Sequence, residues 1–125
     1  MKYYTRKLIQ PTDLNSRGTL FGGQLLKWID EEAAIFAMCQ LSKESDNQTP
    51  NIVTKAISEI DFQSSAYVGD IIEIGCDLVS FGTTSVTIRC EVRNKKTKDI
   101  ICDIDKIVFV LLDRRGNPLP HGFIK

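Results

Sequence analysis

The chain has 125 residues, 42% of them hydrophobic and 26% charged, which suits one soluble domain spanning residues 1–125 around one core. Sixteen basic residues balance sixteen acidic ones, so no overall charge draws the chain to nucleic acid or to a membrane surface. No apolar run reaches the roughly 18 residues of a membrane span, and the opening Met-Lys-Tyr-Tyr-Thr-Arg-Lys lacks the apolar stretch of a signal peptide. A cytoplasmic protein without membrane insertion is expected.

In chain order, residues 3–10 predict a strand that Pro11 stops, and residues 13–23 are rich in turn formers. Gly22 or Gly23 opens a helix that continues to about Leu41. Residues 42–50 are polar and full of breakers, which predicts an exposed loop. From Asn51 to Phe62 the period changes from helix to strand, placing Ile52, Thr54, Ala56, Ser58, Ile60 and Phe62 on one face. Val68-Gly-Asp70 is a turn. Residues 71–80 alternate again, with Ile72, Ile74, Cys76 and Leu78 inward, and Gly75 marks a bulge or a close backbone approach. After a turn at Gly82, the strand bearing Val86, Ile88, Cys90 and Val92 runs to a polar hairpin loop at residues 94–99. Residues 100–112 form a last strand with apolar residues on both faces, which suits subunit packing, and residues 114–122 form an irregular tail.

The four cysteines form no C-x-x-C pair and read as buried free thiols. With a single histidine, His121 in the tail, no metal site is expected. One long helix followed by strands joined by short turns predicts an α+β domain, in which a curved antiparallel sheet of about five strands wraps around the helix.

The helix is apolar nearly all round, yet Asp30, Glu31 and Glu32 stand in its middle. A buried carboxylate costs several kcal/mol unless paired, hydrogen-bonded or protonated, so the segment reads as a site as well as a scaffold. Glu31, four residues after Lys27, is placed for a surface ion pair, and Glu32 for a structural role. The amides of Gly22 and Gly23 at the helix N-terminus suit an oxyanion hole, although the two glycines equally suit a tight turn.

Gly18-Thr-Leu-Phe-Gly-Gly, Trp28-Ile-Asp-Glu, Asn51-Ile-Val-Thr, Ile60-Asp-Phe and Val68-Gly-Asp are similar to motifs of the YciA-type acyl-CoA thioesterases and the related cytosolic acyl-CoA hydrolases. The likeness runs from about Pro11 to Leu112 and implies the hotdog fold. It also implies hydrolysis of an acyl-CoA substrate to free acid and CoA, without a cofactor. A further implication is a homo-oligomer with the site between two protomers, often a hexamer built as a trimer of dimers. By that resemblance Asp30 and Asn15 are the catalytic pair. Asp30 acts either as general base on water or as nucleophile through a mixed anhydride. Asn15 alone reads as a turn or cap residue.

Thr54 and Ser58 are expected on the inner face, either lining a substrate channel or as hydrogen-bonded core hydroxyls. The turn Gly82, Thr83, Thr84, Ser85 resembles the family's Gly-x-Ser-Ser turn beside the pantetheine arm, or is a plain hairpin. Lys55, Arg89, Lys106, Arg114 and Arg115 are candidate cations for the CoA phosphates. Where relatives carry an Arg-His pair after the helix, Met38-Cys-Gln40 stands here, which bears on substrate range. A hydroxyacyl-thioester dehydratase needs a histidine beside the helix, and a non-catalytic acyl-CoA sensor needs an attached DNA-binding segment. These two are the alternatives to hydrolysis, and a turnover assay separates both from it.

Overall fold

The computed structural model describes residues 1–42 and 49–124. Strand β1 (Lys2–Leu8) leads through a single 3-10 turn (Pro11–Asp13) to helix α1 (Gly22–Leu41). Five strands follow: β2 (Ile52–Ile57), β3 (Ile60–Phe62), β4 (Ile71–Phe81), β5 (Ser85–Asn94) and β6 (Ile100–Leu111). All pair antiparallel in the order β1-β4-β5-β6-β2, with β3 also on β6. The loop expected between Ser42 and Pro50 falls mostly on residues outside those described. Among the described residues no helix is long and apolar enough to cross a membrane.

The strand expected from Asn51 to Phe62 is two strands, so the sheet has six rather than about five. Ser58 causes the break. Its N–H still donates to the Lys106 carbonyl at 2.8 Å, but its hydroxyl, not a carbonyl, accepts the Lys106 N–H at 3.0 Å. A bulge between Thr54 and Ala56 also breaks the expected alternation. Ile52, Thr54 and Ile57 therefore pair with Leu111, Phe109 and Ile107, and Ala56 with Val108; Ile52 is half-buried, whereas Thr54, Ala56 and Ile57 are exposed.

Nor are β3 and β4 neighbours, as a short turn between them would require. Residues 63–70 instead pass the start of α1, where the Ala66 carbonyl accepts the Leu20 N–H at 2.8 Å. They end in a turn with Gly69 at φ +88° that hydrogen-bonds Ile9, and this sets β4 beside β1.

The core lies between α1 and the concave face of the sheet. Ile72, Ile74, Val86, Ile88, Val92 and Ile107 are fully enclosed, and Ala33 and Ala37 let the sheet close on the helix. Each such aliphatic side chain contributes about 1.5–3 kcal/mol relative to exposure. Cys76, Cys90 and Cys102 belong to this core as expected, but Cys39 is exposed on the outer side of the helix. The Cys76 and Cys90 sulfurs lie 3.1 Å apart, and their hydrogen bond, then burial, raises the Cys90 thiol far above its ordinary range. Burial pushes the Cys102 thiol up to about 11. Thiols so raised are poor nucleophiles.

Gly75 is a close approach: a Cβ there would stand 2.6 Å from the Tyr3 ring, which lies across it. Tyr3 donates to Glu91 at 2.5 Å and stacks under Arg93.

Candidate functional site

Three consecutive carboxylates on a helix point about 100° apart, into three different sectors, and the structure sorts them. Glu31 faces solvent, with Lys27 Nζ 4.0 Å away, as the i, i+4 spacing predicts. Glu32 is buried against β1 and accepts the Thr5 hydroxyl proton at 2.5 Å. Asp30 is half-buried and points at the β2 edge, where Thr54 Oγ1 donates to its Oδ1 at 2.8 Å. Thr54 is thus a partner of the candidate carboxylate and not a core hydroxyl. Ser58, expected on the same face, serves the β3 break.

The start of the helix is built by the preceding turn. Asp13, buried, accepts the Gln10 N–H at 2.8 Å and a Gln24 side-chain N–H at 3.0 Å, and its carbonyl accepts the Phe21 N–H. No side chain caps α1 and no acidic residue lies in its first turn, so the amides at Gly22 and Gly23 keep their positive end open. A Cβ on Gly23 would fall 2.6 Å from the Phe21 ring, and one on Gly22 would lie 3.7 Å from the Phe62 ring. Gly22 also lines a cavity of about 240 Å³.

Within one protomer Asn15 does not meet Asp30. Its Oδ1 accepts the N–H groups of Arg17 and Thr19, and its Nδ2 donates to the Thr19 hydroxyl at 2.9 Å. That is the turn-forming arrangement, closed by Gly18 at φ +82°.

The Gly82–Ser85 turn joins β4 to β5 through Gly82 N–H to the Ser85 carbonyl at 3.0 Å, with Gly82 and Thr83 exposed. His121 is not a loose tail residue: it is buried at 4% exposure against this turn. Its Nδ1 accepts the Phe123 N–H, which leaves Nε2 as the protonated nitrogen, donating to the Ser85 carbonyl at 2.8 Å. The ring packs with Phe81 and Phe123. The sequence signal was weak, an apolar Phe-Ile just past an irregular tail.

Of the candidate cations, Arg89 is already engaged, with Asp103 at 3.0 Å and Glu91 at 3.4 Å. Burial works against its charge, and these carboxylates outweigh burial to raise it above the ordinary arginine value. Lys55, Lys106, Arg114 and Arg115 are exposed. Among the described residues no cluster of His, Cys, Asp and Glu is placed to hold a metal.

A family model described as the thioesterase superfamily matches residues 17–101, from the glycine-rich turn through the start of β6. The chain belongs to the thioesterase superfamily. It is 30% identical to an uncharacterized acyl-CoA thioester hydrolase of Buchnera aphidicola, over 98% of this chain and 93% of that one. It is 32% identical to the acyl-CoA thioester hydrolase YciA of Salmonella typhimurium, over 92% of this chain and 86% of that one. The structure of a hexameric thioesterase from Yersinia pestis superposes with a TM-score of 0.86 at 26% identity, covering 98% of this chain and 96% of that one. The hotdog fold and the YciA-type resemblance are borne out.

Proposed function

We propose that this thioesterase hydrolyses acyl-CoA to a free carboxylic acid and CoA, with Asp30 as the reacting carboxylate. The observation that carries the reading is the Asp30–Thr54 hydrogen bond of 2.8 Å at the open edge of the sheet, on a helix whose N-terminal amides no side chain caps.

In the general-base form, Asp30 takes a proton from water as the water oxygen attacks the thioester carbonyl carbon. In the nucleophilic form, an Asp30 oxygen attacks, the mixed anhydride forms as CoA thiolate leaves, and water then opens the anhydride. In both, the carbonyl oxygen gains charge that the N–H groups of Gly22 and Gly23 stabilise, a contribution of about 3–4 kcal/mol for a single donor in comparable sites. In both, the C–S bond breaks and the thiolate takes up a proton. No cofactor enters.

Helix geometry supports a site shared between two copies. Gly22 and Asp30 are eight residues apart, which at 1.5 Å per residue is about 12 Å along the axis. One helix therefore cannot offer both its amides and its own carboxylate to one carbonyl. A second copy, related by a two-fold axis, supplies the missing group. Strand β2 is one edge of the sheet and exposes Val53 and Ile57, an apolar edge suited to that copy. Assembly as a trimer of such dimers accords with the hexameric relative. Asn15 completes the turn in front of the amides. Thr83 and Thr84, with Gly82 and Ser85, present the CoA-binding turn, and the exposed lysines and arginines meet the phosphates.

Release of CoA thiol from a series of acyl-CoAs tests the reading. Turnover supports it, and tight acyl-CoA binding without turnover contradicts it in favour of a sensor.

A further inference from the structure

We propose that His121 is a positioning residue for CoA: its bond to the Ser85 carbonyl holds the Gly82–Ser85 turn in the shape that receives CoA, an inference that rests on the reading of that turn above. Past β6 the chain folds back on itself. The Leu119 N–H donates to the Leu111 carbonyl at 2.8 Å, and the strap then reaches the turn, where the His121 N–H donates to the Thr83 carbonyl at 3.2 Å. Gly122, at φ +75°, bends the chain so that the Phe123 N–H returns to Nδ1 of the His121 ring at 2.9 Å. With Nδ1 an acceptor, Nε2 is the donor, and it meets the Ser85 carbonyl at 2.8 Å. Packing against Phe81 and Phe123 keeps the ring in place.

Turn and strap close at the Ser85 carbonyl. It also accepts the Gly82 N–H at 3.0 Å, so one of its lone pairs serves the turn and the other serves His121. The Thr84 carbonyl accepts the Leu111 N–H at 2.8 Å. The carbonyls of Thr83, Thr84 and Ser85 are thus all tied to β6 or the strap, two of them by one residue. The side chains are left for a ligand: Thr83 is exposed, Thr84 is half-buried, and neither hydroxyl has a partner among the described residues. A hollow of about 510 Å³ lies between Phe123 of the strap and Gly82 and Thr83 of the turn, so the turn is reached from solvent. A turn held in this way has little freedom left to lose when a ligand docks on it, whereas a released one must be ordered at the expense of affinity.

Two substitutions separate the two ring nitrogens. His121→Gln keeps a donor at the place of Nε2 and has no acceptor at that of Nδ1; His121→Asn keeps an acceptor near Nδ1 and does not reach Ser85. The experiment is calorimetric titration of CoA into wild type and both variants, with KM and kcat for the acyl-CoA that wild type turns over best and a melting curve for each protein. His121→Asn is expected to raise the Kd for CoA and the KM by about five- to tenfold, with kcat within about twofold of wild type. His121→Gln is expected to stay within about twofold of wild type in all three. A merely structural histidine would lower CoA affinity in both variants in step with melting temperature. That result, or unchanged affinity in His121→Asn, overturns the proposal. If His121→Asn does not fold, His121→Leu, which fills the space beside Phe81 and lacks both ring hydrogen bonds, carries the same expectation. Wild type that binds CoA and turns over no acyl-CoA overturns the hydrolase reading alone, because the Kd comparison still decides the part of His121. Wild type that does not bind CoA overturns both.

Discussion

Asp30 on the central helix and Thr54 on the edge strand meet through a 2.8 Å hydrogen bond. The pair ties the candidate catalytic carboxylate to β2, an edge strand of the sheet. Removing the hydroxyl frees the carboxylate to rotate without removing it. Thr54→Val is expected to lower kcat by about tenfold, with thermal stability changed by no more than about 1 kcal/mol. Steady-state kinetics beside a melting curve checks this.

If one protomer's amides work with another's carboxylate, activity depends on assembly. Val53→Lys combined with Ile57→Lys places two charges on the exposed β2 edge. The double variant is expected to sediment as a smaller species, to keep the circular dichroism of the fold and to lose at least about tenfold in kcat/KM. Full activity in a monomer counts against the shared site.

On the outer face of the sheet, Glu73 is enclosed by Arg93 at 2.7 Å and Lys98 at 3.0 Å, with Arg6 beyond. Burial alone would raise its carboxyl, but the hydrogen bonds and charges of Arg93 and Lys98 outweigh burial and hold it below 4.5. A group depressed on folding adds stability that is present above about pH 4.5 and is lost as pH falls through the folded value. Wild type is therefore expected to lose melting temperature on acidification below that point. Glu73→Gln is expected to be less stable at neutral pH by about 1–3 kcal/mol, and to show a flatter acid limb. Melting curves from pH 3 to pH 7 read both effects.

His121 pins the C-terminal strap to the Gly82–Ser85 turn through Nε2 to the Ser85 carbonyl and its own N–H to the Thr83 carbonyl, while Nδ1 accepts the Phe123 N–H within the strap. His121→Ala removes the ring donor to the Ser85 carbonyl and the ring acceptor of the Phe123 N–H and opens a gap beside Phe81. It is expected to destabilise the protein by about 2–4 kcal/mol. His121→Gln, which can still donate to Ser85, is expected to recover part of that loss in urea unfolding.

What the sequence made legible follows its strongest local signals. Gly22 to Leu41 stood out as a helix because no Pro or further Gly interrupts its mainly apolar residues between a glycine pair and a polar breaker segment. The inward faces of β4 and β5 followed from strict alternation. Ala56 was misplaced because a bulge is a pairing event between two strands, and no residue in β2 announces it alone. Ser58 ends β2 through a bond to Lys106, far away in sequence. At the site, Asp30 was legible as a carboxylate in an apolar helix, and Thr54 only as an inward hydroxyl. The role of Asp13 in fixing Gln24, the burial of His121 and the lean of Phe62 over Gly22 all depend on tertiary approach, which periodicity does not encode.

The most direct test of the account is CoA thiol release by wild type and Asp30→Asn at matched concentration, oligomeric size and melting temperature. Wild type is expected to turn over, and Asp30→Asn to lose at least about a thousandfold in kcat, because its amide neither accepts a proton from water nor attacks the thioester. Equal turnover by the two proteins would contradict it and place the chemistry elsewhere in the fold.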